Sequence, residues 1–287
     1  KSKAEAKKEQ SQRKKACAKI IESCGNLPLQ NYTALHAYDL AKDMHEEGYS
    51  NSQIKKMITY GRGLFRYATK NRDNNGHQYL KYQPWIDLEL AEFGKSSRPY
   101  IPLSDEELVA AFAQDIAAQE RLLLTILITT GMRLDEASLM TWERLTDYNG
   151  VRCFSLVNAL VKNRGSKRYI PVPDILIPLL KEGGKGRLFN YRIDKDGKAQ
   201  AKASDAVMPY IRNVTTDDRK VAHSLRGNFK DLVREADVSK EINDFIPGHA
   251  QGDVAGKYGS GPTLAKRLEV LNLLPQLPRF PNNIIVT

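Results

Sequence analysis

Apolar residues return every three or four positions through the first 70 residues, the spacing of helices that bury one face. One helix is expected over Asn31 to Glu47, stopped by Gly48. Another starts near Ser50 and carries Ile54, Met57, Ile58, Leu64, Phe65 and Ala68 on one side. The pattern breaks over residues 72–103, where Pro84, Gly94, Pro99 and Pro102 interrupt it. A short helix is expected there at Trp85 to Glu92, and residues 93–103 read as a linker. Ser104-Asp105-Glu106-Glu107 then opens a new helix as a capping box, the hydroxyl capping one end while Glu107 reaches back. A buried helix, Glu120 to Thr130, ends at Gly131. Val151 to Val157 and Arg168 to Val172 read as strands joined through a turn at Asn163-Arg164-Gly165-Ser166. Helical spacing resumes at Ile175 to Lys181, Ala201 to Val214, His223 to Ala236 and Pro262 to Leu274. The expected fold is mainly α with a small β-sheet or hairpin (α+β). A helical domain covers residues 1–92, a linker follows over 93–103, and a mixed domain with a C-terminal tail covers 104–287.

Charge adds a partner class. Across 287 residues, 44 Lys and Arg stand against 34 acidic residues, a net of +10. Such an excess favours polyanions, because neutralising phosphates releases counterions from nucleic acid. Residues 1–20 alone hold eight Lys/Arg and two Glu, which reads equally as a solvated helix end or a DNA-contacting arm. Lys55, Arg62, Arg66 and Lys70 fall on one stripe of the expected third helix, opposite its apolar side. That stripe suits a helix lying on a phosphate backbone, and suits a plain solvent face as well. Membrane and metal chemistry find no footing. The longest apolar run, Leu122 to Ile128, is broken by Thr125 and falls short of the ~20 residues of a spanning helix. Cys17, Cys24 and Cys153 form neither a disulfide framework nor a zinc pattern and point to a reducing cytosol. The chain opens at Lys1 without methionine or an apolar leader and reads as a piece of a longer protein.

Four separated pieces carry chemistry when taken together: Thr130-Gly131-Met132-Arg133-Leu134-Asp135-Glu136; the hairpin lysine Lys162, with Lys167 as rival; His223-Ser224-Leu225-Arg226; and Gly248-His249 with Tyr258 nine residues on. His223 and Arg226, three apart on an expected helix, leave one face and can meet one ligand. Two guanidiniums offer fixed donors to the nonbridging oxygens of a phosphate as charge builds in its transition state. The imidazoles of His223 and His249 add a donor or exchange a proton, a hairpin lysine can protonate a leaving alkoxide, and Tyr258 supplies a hydroxyl nucleophile. This inventory suits attack on a phosphodiester without a metal or other cofactor.

In order and separation, Thr-Gly-x-Arg-x-x-Glu, a hairpin lysine, His-x-x-Arg, Gly-His and the tyrosine resemble the tyrosine recombinases, the phage-integrase family, across residues 104–274. The preceding basic helical domain resembles that family's core-binding domain, and Lys257-Tyr258-Gly259-Ser260-Gly261-Pro262 looks like a prophage-type integrase. The resemblance implies that Arg133 and Arg226 clamp the phosphate, that His223 is a base or orienting group, and that His249 donates to the phosphate. It implies Lys162 as general acid, Tyr258 as nucleophile, and Glu136 as a brace for the Arg133 turn, with Arg164, Lys167 and Arg168 approaching DNA or holding the hairpin. It further implies a C-shaped clamp on double-stranded DNA, attachment-type sites, a homotetramer passing through a Holliday junction, and a place in a bacterial cytoplasm at the nucleoid. Accessory DNA-bending proteins and an upstream arm-binding domain are left open. A tail strand at Asn282 to Val286 is expected to pack either on its own domain or on a neighbouring protomer. Two rival readings remain, a tyrosine-type topoisomerase and a decayed integrase that only binds DNA; a zinc nuclease fails on ligand spacing.

Overall fold

The computed structural model describes residues 3–96, 98–157, 159, 167–180, 184–248 and 261–281. Lys162, Arg164, His249, Tyr258, the whole expected hairpin turn at Asn163-Arg164-Gly165-Ser166 and the tail strand lie outside the described residues. The chain divides into two compact units, Lys1–Arg98 and Pro99–Thr287.

The first unit is built on α1 (Lys3–Cys24), α2 (Ala34–Glu46) and α3 (Asn51–Lys70). Capping boxes at Thr33 and Ser50 satisfy the open N–H groups that begin α2 and α3. Ile20, Leu40, Met44, Ile54, Ile58 and Phe65 close the core between the three helices. Residues 81–94 form no helix, contrary to the expectation at Trp85 to Glu92. The reason is tertiary. Trp85 is fully buried, its Nε1 donates to Thr33 O at 3.0 Å, and its ring meets Phe65 at 5.0 Å. A Cβ on Gly61 of α3 would lie 2.2 Å from that ring, so the helix surface is hollowed to receive it. Asn51 Nδ2 donates to the carbonyls of Leu90 at 2.5 Å and Phe93 at 2.7 Å, taking backbone acceptors that a helix would need.

The second unit orders α4 (Asp105–Phe112), α5 (Ala118–Thr130), α6 (Leu134–Ser138), β1 (Leu145–Tyr148), β2 (Val151–Ser155), β3 (Tyr169–Pro171), α7 (Gln200–Arg212), α8 (Ser224–Glu235), α9 (Lys240–Phe245) and α10 (Leu264–Leu273). Its sheet is antiparallel in the order β1-β2-β3, with Tyr148 opposite Val151 and Phe154 opposite Ile170. The expected mainly helical fold with a small sheet is the one observed. β1 and α9 go beyond the expectation. Residues 174–179 form a 3-10 turn rather than an α-helix, because Pro178 within it has no N–H to donate. α5 runs through the middle of the unit, buried on nearly every side and packed along α8. Its threonines are no exception to the apolar surroundings, since Thr125, Thr129 and Thr130 each return their hydroxyl to a carbonyl one turn back. No helix among the described residues is long and apolar enough to cross a membrane.

Candidate functional site

The site begins where α5 stops. Gly131 closes that helix at φ +61°, and a Cβ there would stand 2.3 Å from the Phe229 ring of α8, so both the backbone and the packing require glycine. The chain turns two residues later, and Arg133 becomes the N-cap of α6. Glu136, at the third position of α6, accepts from the Arg133 backbone N–H at 3.0 Å through Oε2 and from Arg133 Nη1 at 2.5 Å through Oε1. The brace expected between Glu136 and the Arg133 turn therefore stands in the structure.

α8 brings in the second arginine. His223 precedes it and is exposed, with the Tyr100 ring against it edge-on at 6.1 Å between centroids. Arg226 lies in the first turn and is only 5% exposed. Its Nη1 donates to Gly131 O at the end of α5, the usual place for a cation near a helix C-terminus. Its Nη2 is buried with no hydrogen-bond partner among the described residues. Burial, together with the charges of Arg133 and Arg168, holds the Arg226 pKa down to about 9. The entry to α8 is fixed from several sides. Asn228 exchanges two hydrogen bonds with the Leu103 backbone, Lys220 pairs with Glu107 at 2.6 Å, and Ile101 N donates to Arg219 O at 3.2 Å.

The third arginine is not at the surface. Arg168, expected to approach DNA or hold the hairpin, is turned inward and only 7% exposed. Its Nη2 meets Glu136 Oε2 at 3.1 Å and its Nε donates to Ile246 O at 2.8 Å. A buried carboxylate in reach explains the inward turn, which an exposed neighbour such as Lys167 does not share. Burial pushes the Glu136 pKa up, but the Arg168 charge and the donated N–H groups outweigh it, so the carboxyl is held below its usual range. Arg168, buried deeper still, is held below the ordinary arginine value. One carboxylate thus serves two guanidiniums directly, and a third lies beside them with an open donor. Net positive charge around an unsatisfied buried N–H is an arrangement that an oxyanion completes.

Among the six residues expected to act on a phosphodiester, the structure brings Arg133 and Arg226 together and sets His223 at the mouth of the same helix. Lys162, His249 and Tyr258 fall outside the described residues. Of the residues expected on the DNA face, Lys55, Arg66 and Lys70 are exposed on α3, Arg62 is half-buried, and Lys167 is exposed ahead of β3. Sequence reasoning passed over Arg267 of α10, which is buried, donates to Tyr169 O at 2.9 Å and lies over the Phe245 ring at 4.8 Å. The sign was there: Arg267 shares a helix face with Leu264 and Leu271, where an arginine needs a partner.

No family model matches the chain, and no curated protein matches it. Solved structures do. A lambda integrase (75-356) dimer bound to a COC′ core site aligns with a TM-score of 0.63 at 17% identity, over 85% of this chain and 88% of that one. The Tn1549 transposon integrase in complex with transposon right end DNA aligns with a TM-score of 0.62 at 16% identity, over 91% and 88%. The XerH site-specific recombinase bound to its difH substrate, a pre-cleavage complex, aligns with a TM-score of 0.55 at 21% identity, over 84% and 67%. At these identities the likeness establishes a shared fold, that of the integrases and site-specific recombinases.

Proposed function

We propose that this chain is a site-specific DNA recombinase, of the tyrosine recombinase class, that cleaves and rejoins strands through a 3′-phosphotyrosine at Tyr258. The observation that carries the reading is the buried Arg226, with one donor unpartnered among the described residues, beside the Arg133–Glu136 turn. A scissile phosphate supplies the missing acceptor and the missing negative charge. Arg133 and Arg226 hold its nonbridging oxygens, and their charge counts most as a fifth oxygen crowds the phosphorus. His223 orients the phosphate or accepts a proton, and His249 donates to it.

In the first step Tyr258 Oη attacks phosphorus and the bond to O5′ breaks. The phenolic proton passes to a base, and the departing O5′ takes a proton from Lys162 or its rival Lys167. The phosphotyrosyl bond retains the energy of the broken one, so a 5′ hydroxyl from the partner duplex reverses the step without ATP. Four protomers on two duplex sites, exchanging strands in pairs, would complete recombination. Integration or excision of a mobile element in a bacterial cytoplasm is the setting that fits this chemistry. The first unit, with its exposed basic stripe on α3, grips the flanking phosphate backbone.

The test needs no known site. The protein is incubated with fragmented genomic DNA in chelator, quenched with detergent, and DNA bound covalently to protein is recovered, with Tyr258→Phe in parallel. The expected result is an adduct in the parent alone, joined through a 3′ phosphate, whose ends reveal the site when sequenced. DNA binding without any adduct would overturn the reading and leave a protein that only binds.

A further inference from the structure

Arg168 is an expensive residue to keep where it stands. A guanidinium taken out of water gains little net stability even when paired, and an apolar side chain of similar volume commonly does as well. Its contacts reach three segments far apart in sequence. Its own carbonyl accepts from Leu156 N at 2.9 Å, so it sits at the base of the β2–β3 hairpin. Its Nη2 holds Glu136, the same carboxylate oxygen that accepts the Arg133 backbone N–H. Its Nε holds the carbonyl of Ile246. The turn beyond Ile246 is seated on it as well. Gly248 has φ +72°, and a Cβ there would lie 2.7 Å from Arg168 Nη1. One planar fork therefore ties together the base of the β2–β3 hairpin, the turn that carries Arg133, and the turn that leads in sequence to His249 and Tyr258.

Lysine cannot do this. It offers a point charge on a flexible stem, whereas the guanidinium donates in two fixed directions at once. The geometry points to Arg168 as a positioning residue for strand cleavage, setting the Arg133 turn, the base of the β2–β3 hairpin and the Ile246–Gly248 turn in one register; this rests on the strand-transfer reading above. Among the described residues Arg168 acts through Glu136 and the Ile246 carbonyl.

The experiment is single-turnover adduct formation by the full chain on a duplex carrying a site recovered by adduct sequencing, across a range of DNA concentrations. Arg168→Lys keeps the charge opposite Glu136 and loses the fork. Because a misplacement of about 1 Å can cost on the order of a hundred-fold, a fall of roughly ten- to a hundred-fold in the rate constant is expected. The half-saturating DNA concentration and the fraction of protein that reacts should stay at the parent's values. Combining Arg168→Lys with Glu136→Gln should slow the reaction no more than the slower single variant, since both break one relay. Gly248→Ala, which presses a methyl group on the same guanidinium, should give the same loss of rate. A parent-like rate with a reduced reacting fraction would show a merely structural role and overturn the proposal. Losses that multiply in the double variant would overturn it too. Failure of the underlying reading looks different: the parent itself forms no Tyr258-dependent adduct.

Discussion

Replacing Arg226 by methionine should make the protein more stable while destroying its chemistry. The fall of the Arg226 pKa from the ordinary arginine value to about 9 corresponds to about 5 kcal/mol set against the charged form, with burial the largest cause, the Arg133 and Arg168 charges adding to it and Glu136 opposing it. The sign follows from proton counts. Below about pH 9 both the folded and the unfolded chain carry the proton, so the folded state bears the whole cost at neutral pH. As pH rises through that value the folded state sheds the proton first, and the cost is relieved. Methionine removes it at every pH, but leaves the Gly131 carbonyl without its donor, a loss of about 1–3 kcal/mol. Roughly 2–4 kcal/mol should remain in favour of Arg226→Met, or about 4–16 °C in melting temperature for a unit of this size. Thermal unfolding at pH 7 and low salt, without DNA, reads this directly. Inorganic phosphate supplies the other half of the test. At ten times its dissociation constant a ligand of the folded state contributes about 1.4 kcal/mol, and the parent should gain this while the variant does not. A variant that melts lower than the parent, with phosphate raising both equally, would refute the account of Arg226 as a strained cation awaiting an anion.

Two further outcomes separate binding from chemistry and tail from core. Changing Lys55, Arg66 and Lys70 together to glutamine should weaken DNA binding on every sequence alike and flatten its salt dependence by a slope of about 3, with the melting temperature held; an unchanged slope in a titration against salt would make the stripe a solvent face. Ending the chain after Pro281 should leave the melting temperature intact and impair only assembly of protomers on DNA if the tail strand crosses to a neighbour. Ending it after Pro278 should also lower the melting temperature by several degrees, because Phe280 is fully buried and Arg279 pairs with Asp105 at 2.9 Å.

What could be read from the chain was whatever local chemistry decides. Ser50 and Ser104 begin helices because their hydroxyls satisfy open N–H groups within the next turn, a relation contained in four consecutive residues. Gly131 ends α5 for an equally local reason. β1 was legible too and passed unread. Asn149-Gly150, both at positive φ, is a hairpin turn between Leu145–Tyr148 and Val151–Ser155, and the pair alone announces it. The helix expected at Trp85 to Glu92 failed because its side chains serve α2 and α3 instead of their own segment; the competing partners, Thr33, Asn51 and Gly61, are 24 or more residues away in sequence.

Arg168 shows the same limit at the candidate site. In the run Lys162 to Arg168 four of seven residues are basic, and nothing local separates one that faces solvent from one that is buried. The separation comes from Glu136, 32 residues earlier, which the α5–Gly131–α6 turn delivers beneath the hairpin. Once that carboxylate is there, a charge near it is stabilised only by facing inward, and strand alternation allows one of Lys167 and Arg168 to do so. The two residues therefore take opposite roles. Motif order along the chain put Arg133 and Arg226 in one group, as the structure does, but which arginines the single buried carboxylate meets is decided by tertiary packing. Among the described residues Glu136 hydrogen-bonds Arg133 and Arg168 but not Arg226, and the positive charge left over is where the proposed phosphate would sit.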